Sequence, residues 1–407
     1  MTVIDELLAG MALVDGHCHA ILAAAPDPAG FALAATEADT SPGSTDGRPG
    51  TAPARSGDSA VDPWAGATPP ALALLDGSAG LAIRRWCSPV LGLPGGAPID
   101  EYLQRRNELG GAEADRLLLR AAGLAELLVD TGLDGAELAA PAALAAAAGA
   151  PVREVVRLER VAERLAERGV SASGFAAAYR RALAAATVDA VAVKSILAYR
   201  GGFGDEAERP SPTQVRTAAG RWLGRVGRAG AGGGARLDDP VLVRFVLWCG
   251  VDRGLPVQIH AGFGDRDLRL AAADPALLQP FLAATEPRRV PFVLLHCYPY
   301  HRQAGWLAQV FPHVYVDVGL TVGQVGARAE AVLGEFCELA PFPKLLFSTD
   351  GFALPERFLV GAAQFRHSFA RVLDTWVADG ALPAADAGRV AAMVGADNAR
   401  RVYGLGA

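Results

Sequence analysis

The chain has 407 residues, of which 51% are hydrophobic and 20% charged, and its formal net charge is −6. The mildly acidic balance argues against nucleic-acid binding, which needs a basic face on the protein. The sequence has no uninterrupted run of about 18 apolar residues, so no membrane span is predicted. Five cysteines without a CxxC pair argue against a disulfide framework or a thiolate zinc site. The acidic N-terminus, MTVIDELLAG, is not typical of a signal peptide. We expect a soluble cytoplasmic protein that acts on a small molecule.

The first predicted strand, ALVDGHCH, ends at His19, and the composition then changes. Residues 36–68 are rich in Ser, Thr, Gly, Pro and Asp and keep no hydrophobic period, which predicts a long or locally disordered loop. We place the whole low-complexity loop insert at 24–68. Because the loops that follow barrel strands surround the active site, this insert is either a lid or simply a solvated loop.

From residue 72 onward, short apolar runs alternate with helical patterns. Helices are predicted at 70–86, 98–122, 160–186, 238–253, 355–379 and 384–402, with a glycine-rich linker at 227–235. The other seven predicted strands are AELLVDTG, VVRLE, AVAVKS, PVQIHAG, FVLLHC, VYVDVG and LLFSTDG. Strands separated by helices favour parallel pairing through right-handed crossovers. The predicted fold is therefore one α/β domain over 1–407, a (β/α)8 TIM barrel with a long insert after strand 1.

Polar side chains stand at the C-terminal ends of five predicted strands, where catalysis takes place in such barrels. These residues are His17 and His19 on strand 1, Lys194 on strand 4, His260 on strand 5, His296 on strand 6 and Asp350 on strand 8. Because side chains alternate along a strand, His17 and His19 share one face and could share one metal. Imidazole and carboxylate suit zinc, and also manganese or iron. The sequence predicts a site for one or two divalent ions, held by His17, His19, His260 and Asp350.

The predicted chemistry is hydrolysis by metal-activated water. Asp350 takes the proton from the attacking water as general base, and His296 either ligates a second ion or donates a hydrogen bond to the oxyanion. A lysine inside an apolar strand is costly unless it is neutralised or paired. From the residues alone, Lys194 either holds a substrate carboxylate or forms an ion pair with Glu159 or Asp189.

Two further residues are candidates for binding the substrate. Arg200 lies in AYRGGFG, in the loop after strand 4, and a guanidinium binds a carboxylate with two hydrogen bonds. A salt bridge within the loop is the alternative for Arg200. His301 lies in the loop after strand 6, where it either contacts the substrate or lies at the surface.

Longer segments carry a family resemblance, namely VKSILAYRGG, PVQIHAGFGDRDLRL, VLLHCYPYHRQAGWLAQVFPHVYVDVGL and LLFSTDGFALPE. With the strand-end pattern, they resemble the amidohydrolase superfamily, and within it the amidohydrolase-related (amidohydrolase 2) branch. The chain is most similar in pattern to the amidohydrolase half of FluG-like and nodulin/glutamine-synthetase-type proteins. The resemblance spans most of 10–405 apart from the insert.

The resemblance implies a metal-dependent amidohydrolase that acts on C–N bonds with one or two divalent ions, zinc first and manganese second. It implies that Lys194 can be carboxylated by CO2 and bridge two ions, and that His260 and His296 are ligands. The glutamine synthetase-like partner of that group suggests γ-glutamyl amides as substrates and a functional link to such an enzyme. Phe352 and Ala353 depart from the histidine and aromatic residue that often follow STDG in the group, which affects the expected substrate.

Other functions fit the same residues. The same branch contains metal-dependent decarboxylases, in which the lysine of strand 4 is not a ligand, and a uronate isomerase-like sugar isomerase would use the same scaffold. A non-catalytic ligand-binding barrel is the alternative from another class. We expect a homo-oligomer, since barrels of this kind often associate.

Overall fold

The computed structural model describes residues 2–36, 70–133, 137–229 and 235–406. Eight strands form one sheet in the order β1 to β8, and every neighbouring pair is parallel. They are β1 (Leu13–Cys18), β2 (Leu124–Asp130), β3 (Val152–Arg157), β4 (Ala192–Ser195), β5 (Val257–Ala261), β6 (Phe292–His296), β7 (Val314–Asp317) and β8 (Leu345–Leu346).

Backbone hydrogen bonds join β1 to the segment that follows the short β8. The amide of Gly16 donates to the carbonyl of Phe347 at 3.1 Å, and the amide of Asp350 donates to the carbonyl of His17 at 3.0 Å. His19 donates in the same way to Gly351 at 2.7 Å. These bonds bring the first and last strands together, and the predicted (β/α)8 TIM barrel is confirmed.

Helices surround the barrel and separate its strands. They are α1 (Val3–Ala9), α2 (Pro28–Thr36), α3 (Pro70–Ala73), α4 (Ser78–Val90), α5 (Ile99–Leu109), α6 (Gly111–Ala121), α7 (Pro141–Ala148), α8 (Leu158–Glu167), α9 (Phe175–Ala186), α10 (Pro212–Ala229), α11 (Pro240–Arg253), α12 (Gln279–Thr285), α13 (His301–Val310), α14 (Thr321–Gln324), α15 (Ala329–Phe336), α16 (Pro355–Ala378), α17 (Ala384–Ala392) and α18 (Asn398–Tyr403). The predicted helix 98–122 is two helices, because Gly110 between α5 and α6 has a φ of 81°. Among the described residues, none of the helices combines the length and the apolar character needed to span a bilayer.

The prediction of a loop over 24–68 is wrong for its first part. Helix α2 lies there, and its Phe31 is buried with its ring 6.2 Å from that of Tyr102. Its sequence, PAGFALAAT, is apolar on every side, so it shows no helical period by which it could be recognised. Residues 37–68, and with them the predicted lid, lie outside the described residues. The predicted glycine-rich linker at 227–235 also begins too early, because α10 continues to Ala229.

Apolar side chains fill the interior of the barrel below its mouth. Val14, Leu128, Val155, Ala192, Val293, Leu295 and Leu346 pack there with Tyr403 of α18. The Tyr403 hydroxyl accepts a hydrogen bond from Gln258 Nε2 at 2.8 Å, so α18 closes the end opposite the mouth. Since alternate residues of a strand face the same side, Asp130, Arg157 and Lys194 also face inward, because they lie two positions beyond Leu128, Val155 and Ala192 at the C-terminal ends of their strands.

Candidate metal centre

Three predicted ligands meet at the mouth of the barrel. Asp350 Oδ1 lies 3.2 Å from His17 Nε2 and 3.4 Å from His19 Nε2. Candidate ligand atoms of the three buried residues all lie within 4.8 Å of one another. The two imidazole rings meet edge to face with their centroids 5.0 Å apart, which agrees with the expectation that the HxH pair shares one face. The three side chains converge on one small volume.

Carbonyl oxygens fix the protonation of two of the imidazoles. His19 Nδ1 lies 3.3 Å from the carbonyl oxygen of Asp130, and His296 Nδ1 lies 3.3 Å from that of Gly319. A carbonyl oxygen can only accept, so Nδ1 carries a proton in both rings and Nε2 is the nitrogen left for a metal ion. Burial lowers the pKa of His17 to about 3 and that of His296 to about 4. Neutral imidazoles with a free Nε2 are the form that binds metals.

Asp350 is held in position by its backbone and ionised by its neighbours. Its φ of 48° and the φ of 66° at His296 are left-handed, a conformation that non-glycine residues rarely adopt and that often marks functional sites. Arg357 Nη2 donates to the Asp350 carbonyl at 3.2 Å. Burial alone would raise the pKa of the Asp350 carboxyl, but His296, His17 and His19 hold it well below its usual value.

Lys194 lies against the same cluster. Its Nζ is 2.9 Å from His17 Nε2, and its side chain is buried. Burial lowers the pKa of Lys194 to about 8, although Asp130 and Asp350 oppose this shift. Glu159, a predicted ion-pair partner of Lys194, instead accepts hydrogen bonds from Ser195 Oγ at 2.6 Å and from a backbone amide.

His296 and His260 extend the cluster towards β5. His296 Nε2 lies 3.9 Å from Asp350 Oδ2, and its ring centroid is 4.7 Å from that of His260. The His260 ring also contacts Tyr199, with centroids 4.7 Å apart. Its buried Nε2 has no hydrogen-bond partner in the part of the chain that the structure describes. His260 therefore lies beside His296, one ring away from the group of three.

The donor set fits a divalent metal. Two imidazole nitrogens and an ionised carboxylate point to one place, and Asp350 Oδ1 is buried without a hydrogen-bond donor among the described residues. Three protein ligands of this kind with room for water are typical of catalytic zinc, and they also suit manganese.

The structure does not bring Arg200 and His301 to this cluster. Arg200 Nη2 is 3.0 Å from Glu163 Oε1, in a largely buried ion pair. His301 Nε2 is 2.6 Å from Glu335 Oε2, and its ring stacks on Tyr298 with centroids 5.7 Å apart. Both side chains already have partners on other elements, so substrate binding by either stays a prediction.

Three strand-end residues were missed in the sequence. Asp130 ends β2 and Arg157 ends β3, and the two form an ion pair of 2.7 Å. Asp317 ends β7 and accepts from the backbone amides of His296 at 3.1 Å and Gly319 at 3.0 Å, and burial raises its pKa to about 6. The signal was position and charge together, because each is a charged residue near the C-terminal end of a predicted strand, as Lys194 is.

Two comparisons of the sequence with known proteins find matches. A sequence model of the family described as Amidohydrolase matches residues 14–405. Protein FluG of Emericella nidulans is 41% identical over 152 residues, which are 37% of this chain and 17% of FluG. The chain thus matches only a small part of that relative.

Solved structures share the fold. A Lactobacillus casei protein, described provisionally as a metal-dependent hydrolase, superposes with a TM-score of 0.80 at 24% identity over 98% of this chain and 97% of that one. A uronate isomerase of Bacillus halodurans superposes with a TM-score of 0.63 at 14% identity over 99% of this chain and 96% of that one. At these identities the likeness establishes the architecture alone.

Proposed function

The chain belongs to the amidohydrolase family, and from this premise we propose that it is a metal-dependent hydrolase that cleaves a carbon–nitrogen bond. The observation that carries the proposal is the convergence of His17, His19 and Asp350 at the C-terminal end of the barrel. In (β/α)8 enzymes this end holds the active site. We propose zinc as the resident ion, with manganese as the second choice.

The two oxygens of Asp350 have separate surroundings. Oδ1 faces the two Nε2 atoms of His17 and His19, while Oδ2 faces His296 Nε2 at 3.9 Å. A bound divalent ion would supply Lewis-acid chemistry, lowering the pKa of water towards about 7 and polarising a carbonyl. Oδ1 would hold the ion, and Oδ2 would take the proton from the attacking water and pass it to the leaving amine.

The geometry argues against one of the two roles expected for His296, a hydrogen bond to the oxyanion. With its proton on Nδ1 facing Gly319, the neutral ring has no hydrogen on Nε2 to donate to an oxyanion. The same Nε2 can bind a metal ion or accept a proton. We therefore assign His296 to a second ion or to proton transfer.

The contact between Lys194 and His17 constrains the state of the lysine. An ammonium that donates to His17 Nε2 at 2.9 Å uses the lone pair that an ion needs. We propose that Lys194 is neutral when the ion is bound and reacts with CO2, so that the amine nitrogen gains a carboxylate and one proton is released. The carboxylated side chain would bridge two ions. A single ion would leave Lys194 to bind a substrate carboxylate instead.

We propose γ-glutamyl amides as the substrate class. Support comes from the resemblance to FluG-like and glutamine-synthetase-type proteins and from the identity with part of FluG. A substrate of this class carries a carboxylate at one end and the scissile amide at the other. If Lys194 is not carboxylated, its ammonium would donate to that carboxylate in place of His17 Nε2.

The test is a comparison of products. Protein loaded with zinc or manganese is incubated with a panel of γ-glutamyl amides, aromatic carboxylic acids and uronic acids, while amine release, CO2 release and ketose formation are measured. Amine release that is lost in Asp350→Asn supports the proposal. CO2 release or isomerisation without amine release would replace it with a decarboxylase or an isomerase, and no turnover of any class would favour a binding barrel.

A further inference from the structure

A buried ion pair joins the ends of β2 and β3 beside the metal centre. Asp130 Oδ2 accepts from Arg157 Nε at 3.0 Å and from Arg157 Nη2 at 2.7 Å. Asp130 Oδ1 accepts from the amide of Gly132 at 2.8 Å. The Asp130 side chain is 0% exposed and that of Arg157 is 11% exposed, so both oxygens of a fully enclosed carboxylate are anchored.

The backbone of the same aspartate contacts a predicted metal ligand. The carbonyl oxygen of Asp130 lies 3.3 Å from His19 Nδ1, which leaves His19 Nε2 directed at Asp350 Oδ1, 3.4 Å away. We propose that the pair of Asp130 and Arg157 is a positioning device, which fixes this carbonyl and so holds the ring of His19 in the tautomer and orientation that bind the metal. The inference rests on the metal site of the proposed function and extends it to two residues outside the ligand set.

The neighbouring glycine shows that space for Arg157 is built into the fold. A Cβ on Gly132 would lie 2.3 Å from Arg157 Cβ and 2.6 Å from its Cδ and Nε, which is closer than atoms can approach. Gly132 does not have a positive φ, so alanine suits its backbone and only the space is lost. Gly132→Ala would therefore displace Arg157 without removing either charge.

Stability alone accounts poorly for this pair. Taking two charges out of water costs several kcal/mol for each ion, and a buried ion pair often adds little net stability over apolar side chains. Partners that orient a ligating histidine, by contrast, change metal affinity by roughly 10–100-fold when they are replaced. A buried pair at this point is better explained by its contact with His19.

The same two strands provide a matched control. Arg153 Nε on β3 donates to Glu126 Oε1 on β2 at 2.6 Å, near the N-terminal ends of the strands. We would compare Arg157→Gln, Gly132→Ala, the double variant Asp130→Asn with Arg157→Gln, and Arg153→Gln. The readouts are the dissociation constant of zinc, from competition with a chromophoric chelator, and the Tm of the metal-free protein.

The expected result separates affinity from stability. Arg157→Gln and Gly132→Ala should weaken zinc binding roughly 10–100-fold, whereas Arg153→Gln should leave it within about twofold. Arg157→Gln leaves the buried charge of Asp130 uncompensated, and the double variant removes that charge. The double variant should therefore have a higher Tm than Arg157→Gln, while its zinc affinity stays low. Wild-type affinity in Gly132→Ala, or in the double variant, would overturn the inference. Because the readout is binding, a protein that binds zinc but cleaves no amide would defeat only the proposed function.

Discussion

Lys194 Nζ lies 2.9 Å from His17 Nε2, the same ring nitrogen that faces Asp350 Oδ1 at 3.2 Å. A protonated lysine and a metal ion therefore compete for one lone pair. Burial lowers the pKa of Lys194 to about 8, so the ammonium form prevails below this pH and the neutral amine above it. Metal affinity should fall by up to about tenfold per pH unit below 8. Measurement of the zinc dissociation constant between pH 6 and 9 checks this prediction. The pH dependence of zinc affinity should be weaker in Lys194→Met. An equally steep dependence in that variant would assign the effect to groups other than Lys194.

The number of bound ions should depend on the amine of Lys194. Lys194→Met keeps most of the length of the side chain but has no amine to react with CO2, and it should hold one ion where the wild type holds two. Lys194→Arg is the control for charge, since it keeps a cation that cannot be carboxylated, and it should also hold one ion or fewer. Metal content per chain is the measurement, supported by the mass of the intact protein. Two ions in Lys194→Met would exclude the bridging role.

His296 should affect metal content as well as rate. Because its Nε2 has no hydrogen to donate, His296→Asn should lower the number of bound ions or their affinity together with kcat. A residue that only donated to an oxyanion would cost about 10²–10³ in kcat and leave the metal in place. His313→Asn is a control, because His313 is also buried but lies before β7, against the ring of Phe292. Full metal content in His296→Asn would return His296 to a role in catalysis alone.

Asp115 on α6, which is not among the candidate ligands, should make stability depend on pH. Its carboxylate pairs with Arg106 Nη2 at 2.8 Å, and burial raises its pKa from 3.8 to about 6. The folded protein thus binds this proton more tightly than the unfolded chain, so the contribution to stability is complete below about pH 4 and is lost as the pH rises through 6. Asp115→Asn should flatten the fall in the free energy of unfolding between pH 4 and 7.

Urea unfolding at several pH values measures this slope. Asp386→Asn is the control, because Asp386 forms an exposed pair with Arg389 at 2.9 Å. Equal slopes in Asp115→Asn and the wild type would contradict the assignment to Asp115.

Much of the fold could be predicted, because the spacing of apolar residues and the polar residues at the ends of apolar runs indicate the strands. Apolar runs that end in polar residues gave the eight strands, and the predicted amidohydrolase relationship is confirmed by the match over 14–405. Helix α2 could not be predicted, since its residues are apolar all round and its burial depends on partners such as Tyr102 that lie distant in sequence.

The candidate site was only partly predictable for the same reason. His17, His19 and Asp350 are recognisable by residue type and strand position, and the structure brings them together. What the sequence does not contain is the pairing of charges. Arg200 was a candidate for substrate binding or a salt bridge, and the fold pairs it with Glu163. Asp130 and Arg157 were not singled out in the sequence, and the fold pairs them, with the Asp130 carbonyl beside His19.

The most direct test of the metal centre is metal content per chain, measured by plasma mass spectrometry on protein purified without chelators or added metal. We predict close to two equivalents of zinc or manganese in the wild type, and less than about a tenth of that in a His17→Ala, His19→Ala double variant that keeps its fold. Close to one equivalent in the wild type would retain the centre but remove the bridging role of Lys194. No bound metal, even after reconstitution, or full content in the double variant, would contradict the account.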